Sequence, residues 1–323
     1  MTKNTTSDVS ICIFGSSARA TNDSISDRDV LIVANDIKAA EDIVADWSKL
    51  GWSVSLYSRT RLASVAKTGS LFIKHLQLEG KIVSDPSDWL TKILERYRVK
   101  QSYSSEIVDA LDLALPLQRL KGDNSALDPA LVADIGYVFL RNYAIYQCAE
   151  HKTYVFDYAA LLEEFQRIEQ FSDRCRHQLM RLRMGKHIYR SGYSSLRDLS
   201  GMKFAVDWIE EACSNLTLDH IAPDTPIRSL STPYSTLRDC EVVLAANRLF
   251  DTNQGSMPQS LKKIWQMIRN PKDYSWHVSK IDDKWVVRAN EVIAGLNSTS
   301  KTGVMVTEER RQSPFSDIRQ SRR

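Results

Sequence analysis

Gly15 to Val33 reads GSSARATNDSISDRDVLIV, and the apolar run Val9–Phe14 (VSICIF) leads straight into it. Both VSICIF and Val30–Val33 (VLIV) are short, apolar and rich in β-branched residues, so each reads as a buried strand. A strand therefore ends at Gly15-Ser16, ten residues follow, and Asp27-Arg28-Asp29 opens the next strand. Glycine at that turn lets backbone N–H groups approach a phosphate chain closely, and Ser16 can donate a hydrogen bond to it. Side chains at i and i+2 of a strand share a face, so Asp27 and Asp29 project together and can hold a divalent cation. Two hard carboxylate ligands favour Mg²⁺, with Mn²⁺ the alternative.

Working outward, Ile37, Ala40, Ile43, Val44, Trp47 and Leu50 follow helical spacing over Asp36–Leu50, and Gly51 stops that helix. Ser53–Tyr57 alternates as a third strand, Ser70–Leu78 reads as a helix ended by Gly80, and Lys81–Val83 gives one more short strand before Asp85-Pro86. Beyond Pro86 apolar residues recur at three and four. The spacing predicts helices over Asp88–Arg98, Ser105–Arg119, Pro129–His151, Asp157–Gln170, Asp173–Tyr189 and Ser195–Ser214. Pro223, Pro226 and Pro233 mark a loop. Thr236–Phe250 and Pro258–Arg269 follow as helices, and Trp276–Val287 as a hairpin. The fold class expected is α+β: an N-terminal sheet domain over residues 1–87, then a helical bundle over 88–222, a helical and hairpin subdomain over 223–296, and a disordered basic tail over 297–323.

The combination of strand, Gly15-Ser16, spacer and Asp27-x-Asp29 on the next strand resembles the signature of the DNA polymerase β type nucleotidyltransferases. With Ala18-Arg19 and Ser26-Asp27 inside the spacer, it is most similar to the minimal nucleotidyltransferases of bacterial toxin-antitoxin pairs and to the aminoglycoside nucleotidyltransferases. Gly69–Asp85 (GSLFIKHLQLEGKIVSD) is similar to the helix and strand that follow in bacterial members, and the likeness extends weakly to Phe139–Gln147. The resemblance implies a Mg²⁺-dependent enzyme that moves a nucleoside monophosphate from an NTP to a hydroxyl and releases pyrophosphate. Asp27 and Asp29 would be its catalytic, metal-holding residues. Gly15, Ser16 and Arg19 would bind nucleotide, as would Arg141, whose guanidinium stands in an apolar helix and needs a carboxylate or phosphate partner. The acceptor would be a protein side chain, a tRNA end, a nucleotide or a small molecule such as an aminoglycoside.

Family members commonly carry a third carboxylate, the proton acceptor, on the strand after the helix. Here that strand is Ser53–Tyr57 and holds no acid. Glu106, Asp109, Asp112, Asp134 and Glu150 in the helices are the replacements considered, each also readable as a solvated helix charge. Lys74 and His75 stand on an otherwise apolar helix, where a core or boundary histidine is the plainer reading. The missing acid supports a second reading, a weakly catalytic or non-catalytic nucleotide-binding protein that docks to a partner toxin or defence subunit. A third rests on Arg181 and His187, whose spacing resembles that of the HEPN ribonucleases, although Leu182 stands where a polar residue is usual. Arg174, Arg176, Arg181, Arg183 and Lys186 more simply make a basic helix face, either solvated or lining an acceptor path. Trp265, Trp276 and Trp285 alternate with lysines, which suits either base stacking or core packing.

Composition bounds these readings. The 323 residues are 43% hydrophobic and 26% charged, a globular profile rather than a disordered one. The net charge of +3 resides in residues 297–323, with six basic against three acidic residues, which leaves the remaining chain neutral and argues against a large nucleic-acid footprint. Five widely spaced cysteines, without paired ligand spacing, argue against disulfide scaffolds and structural zinc. No run of about 18 apolar residues occurs and no signal-peptide layout opens the chain, so a cytoplasmic location without membrane partners is expected.

Overall fold

The computed structural model describes residues 8–21, 23–111, 129–191, 237–238, 240–241, 259–271 and 291. A mixed four-stranded sheet is followed by helices, as the α+β pattern requires. The strands are β1 (Ser10–Phe14), β2 (Asp29–Ala34), β3 (Ser53–Ser58) and β4 (Lys81–Ser84), in the order β3-β2-β1-β4. β1 is antiparallel to β2 and β4, while β2 and β3 run parallel. Central position explains the continuous apolar run of β2: Val30, Leu31, Ile32 and Val33 are all fully buried because both faces of the sheet are covered. On one face Cys12, Phe14, Leu31 and Val33 pack against Leu62, Ile73, Leu76 and Leu90. On the other, Ile32 and Ala34 meet Ile43, Val44 and Trp47.

The helices of this part are α1 (Ser16–Arg19), α2 (Glu41–Lys49, entered through a 3-10 turn at Lys38–Ala40), α3 (Arg59–Lys67), α4 (Leu71–Glu79) and α5 (Trp89–Arg96). The helix expected over Asp36–Leu50 thus opens as a 3-10 turn, and Gly51 reverses the chain after it at a φ of 78°. The sequence reading passed over α3. Only Leu62 of that helix is buried, so its apolar periodicity is faint, and the Ser58 hydroxyl that caps it by accepting from the Arg61 amide belongs to the preceding strand.

A second core joins α6 (Ser104–Leu111), α7 (Pro129–Glu150), α8 (Tyr158–Glu169) and α9 (Asp173–Ser191). On α9 the buried residues Cys175, Leu179, Leu182, Gly185 and Tyr189 make one stripe against α7, flanked by Arg183, Lys186, His187 and Arg190 at i, i+3, i+4 and i+7. A last helix, α10 (Gln259–Arg269), matches the one expected over Pro258–Arg269. The expected helix over Ser195–Ser214, the hairpin over Trp276–Val287, most of Thr236–Phe250, residues 112–128 and the tail lie outside the described residues. Among the described residues no helix is long and apolar enough to cross a membrane.

Candidate functional site

The end of the sheet where β1 stops and β2 starts opens into a cavity of about 450 Å³. Its floor comes from Gly15, Ser16, Asp27, Asp29 and Ser55, and its opposite wall from Tyr137, Arg141 and Asn142 of α7 with Arg183, Lys186, His187 and Arg190 of α9. The strand-to-turn geometry is glycine's. Gly15 has φ 68° and ψ −149°, and a β-carbon there would stand 3.3 Å from Asp29 Oδ2. The turn and the Asp-x-Asp pair therefore abut, as the spacing predicts. Gly15→Ala adds strain of about 1–3 kcal/mol and pushes on the Asp29 carboxylate. It should lower the unfolding midpoint, and a variant with an unchanged midpoint would refute this account of the turn.

Asp29 pairs with Phe14 on one side and Ser53 on the other. Burial first, and then the neighbouring Asp27 charge, push its carboxyl up to about 6, while Lys186 and Arg141 pull the other way. Asp27 Oδ2 accepts a 2.6 Å bond from Lys186 Nζ. Burial opposes the charge on that lysine, but Asp27 holds its ammonium above the ordinary range. A positive group thus already stands against the paired carboxylates.

The loop before β2 is tied to α9. Arg183 donates to both oxygens of Asp23 at 2.9 Å and to Ser26 Oγ at 2.7 Å. Ser16, expected to face phosphate, lines the cavity and donates its hydroxyl to the Asp27 carbonyl at 3.3 Å. Arg19 lines it too, at the end of α1, with its guanidinium on Glu79 and on Asp157 Oδ2 at 3.1 Å. Two carboxylates thus already satisfy it. Arg141 lines the wall, and among the described residues it forms no ion pair.

The sequence reading of a strand lacking an acid stands in the structure as Ser55, which reaches the cavity from β3. The proposed helical substitutes do not come to it. Asp134 is fully buried between Arg190 and Arg238, Glu106 is paired with Lys100, and Glu150 accepts from Ser102 and the Tyr103 amide. Asp109 is not in the wall, and Asp112 lies outside the described residues. The helical side instead contributes Asp157, whose Oδ1 caps α8 by accepting from the Ala159 and Ala160 amides at 3.1 Å. As an N-cap its helix-starting role was legible, and its place in the wall was not.

His75 is the other group the sequence undervalued. It lines the cavity at 8% exposure, its ring stacked on Phe156 at 4.4 Å and edge-on to Phe14 at 5.5 Å. Nε2 lies 2.9 Å from Glu79 Oε2, an i, i+4 pair on α4 that the sequence displays as His-x-x-x-Glu. His187 also reaches the cavity, whereas Arg181 does not, so the residues of the ribonuclease reading do not meet there. Of the lysine-flanked tryptophans, Trp276 and Trp285 lie outside the described residues. Burial pushes the Cys12 and Cys148 thiols up to about 12, which removes them as nucleophiles at neutral pH.

Among the described residues no three His, Cys, Asp or Glu side chains gather as a metal cage. Two adjacent carboxylates still fit Mg²⁺, which keeps several waters and takes phosphate oxygens for its remaining ligands. No family model and no curated protein matches the chain.

Proposed function

We propose that this protein is a divalent-cation-dependent nucleotidyltransferase that moves a nucleoside monophosphate from an NTP to a hydroxyl acceptor with release of pyrophosphate. The observation that carries the reading is the contact of the Gly15 turn with Asp29, at the floor of a cavity whose far wall is basic. A triphosphate is the ligand that needs all three: a close backbone approach, a carboxylate-held cation and opposed positive charge. Asp27 and Asp29 would hold Mg²⁺ or Mn²⁺. That ion supplies charge neutralisation at the phosphates and stabilisation of the leaving pyrophosphate.

The chain's own groups do the rest. Gly15 gives room for the phosphates, and Arg141 offers its guanidinium to them. Lys186 exchanges Asp27 for phosphate oxygens when nucleotide and cation enter, which keeps the local charge balanced. The walls from α7 and α9 hold the acceptor hydroxyl against the α-phosphorus for in-line attack. Protein, tRNA end, nucleotide and small-molecule acceptors all remain in scope.

Incubating the purified protein with each α-labelled NTP, Mg²⁺ and a cell extract tests this. Label should move to a macromolecule or metabolite in the presence of the cation and stay on the NTP with chelator. The second reading, a nucleotide-binding docking protein, is favoured by Ser55 where an acid is expected. It predicts cation-dependent NTP binding with no transfer to any fraction of the extract.

A further inference from the structure

We propose that His75, held by Glu79, is the group that takes the proton of the attacking hydroxyl; this rests on the nucleotidyl-transfer reading above. The carboxylates of the cavity wall are otherwise committed. Asp27 and Asp29 are the cation ligands. Asp157 spends Oδ1 on two helix amides and Oδ2 on Arg19. Ser55 cannot accept a proton near neutral pH. His187 lies 3.4 Å from the Ser191 hydroxyl, and among the described residues no carboxylate pairs with it.

His75 differs on each count. Glu79 also accepts from Arg19, and although burial alone would raise its carboxyl, the His75 hydrogen bond and the Arg19 charge hold it below the ordinary range. It is therefore an ionised, acceptor-only partner, and the hydrogen between it and the ring belongs to Nε2. Nδ1 then carries the lone pair, and among the described residues nothing hydrogen-bonds to it. Phe156 covers one ring face and Phe14 stands edge-on, so the ring cannot turn away. Phe14, whose ring meets His75, is also the cross-strand partner of Asp29. Burial, and then the Arg141 and Arg19 charges, keep the imidazole neutral at pH 7 against the pull of Glu79.

The step balances. The acceptor oxygen bonds to the α-phosphorus, its proton passes to Nδ1, and the bond to the bridging oxygen breaks with its electron pair leaving on pyrophosphate. The imidazolium, stabilised by Glu79, then returns its proton to water.

The decisive variant is His75→Gln, whose side-chain amide can still donate to Glu79 while supplying no base. With the full chain, α-labelled NTP, Mg²⁺ and cell extract, transfer should fall about 10²- to 10⁴-fold while NTP binding stays within about twofold, as expected when only a transition-state proton transfer is lost. Free imidazole should restore part of the rate to His75→Gly. Transfer by His75→Gln within about threefold of wild type, with Asp27→Asn/Asp29→Asn inactive, would overturn this assignment and leave nucleotidyl transfer standing. Loss of transfer in His187→Gln or Asp157→Asn but not in His75→Gln would move the base to that residue. No transfer by wild type with any NTP would overturn both the reading and this inference.

Discussion

Replacing Asp29 with Asn should abolish transfer and at the same time make the ligand-free protein more stable. The carboxyl binds its proton more tightly in the folded protein, with its pKa at about 6, than at its ordinary 3.8. The stability it contributes when protonated is therefore present below the unfolded value and lost as pH rises through about 6. At pH 7 and above the ionised form costs the fold on the order of 3 kcal/mol, from 1.36 kcal/mol per pH unit. Asn keeps the shape without that charge. In the absence of divalent cations the variant should melt several degrees above wild type at pH 7.5, with the gain shrinking between pH 6 and pH 4 as wild type takes up its proton. Activity moves oppositely: Asp27→Asn/Asp29→Asn should transfer label at least about 10³-fold more slowly, since both proposed cation ligands are gone. A variant less stable than wild type across this pH range would show that Asp29 is an ordinary structural carboxylate.

The largest loss of stability is expected from Asp134→Asn. Asp134 is fully buried on α7 and accepts from Arg190 of α9 at 2.9 and 3.0 Å as well as from the fully buried Arg238, which also pairs with Glu241. Burial opposes its ionisation, but the Arg238 and Arg190 charges hold its carboxyl below the ordinary range. Among the described residues these four side chains balance in charge, and Asn at 134 takes one carboxylate from Arg190 and Arg238 in the interior. Breaking such a group by deleting one partner costs about 3–5 kcal/mol. A denaturant midpoint lowered accordingly, with unchanged slope, is the expected result. A change below about 1 kcal/mol would show that the site behaves as an exposed ion pair. Because Arg190 also lines the cavity, this prediction separates anchoring of α9 from chemistry: the surviving folded fraction should keep its nucleotide affinity.

The parts of the fold legible in the sequence are those where one period or one residue type leaves no alternative. β2 is a run of buried β-branched and aliphatic residues, and Gly15 sits where a β-carbon would press on Asp29. Those local rules placed the turn and Asp29, whereas Asp27, read as opening the strand, lies in the loop before β2. Helix α3 escaped because one buried leucine does not make a period. The far wall escaped in part because it depends on how α7 and α9 meet the sheet. Arg183 and Lys186 belong to the basic face read from the sequence, while Arg190 and His187 were not read into it, and only packing shows that Arg183 and Lys186 look onto Asp23 and Asp27 rather than solvent. Asp157 and His75 were legible as a helix cap and a half-buried ring. Their shared cavity arises from residues more than eighty positions apart, which no local pattern encodes.

The central claim is tested most directly by parallel incubations with α-labelled and γ-labelled NTP in the presence of Mg²⁺ and cell extract. The account predicts that α-label becomes covalently attached to an acceptor while γ-label is released as pyrophosphate, both reactions being lost in Asp27→Asn/Asp29→Asn. Attachment of γ-label, or release of neither label while NTP still binds, would contradict it.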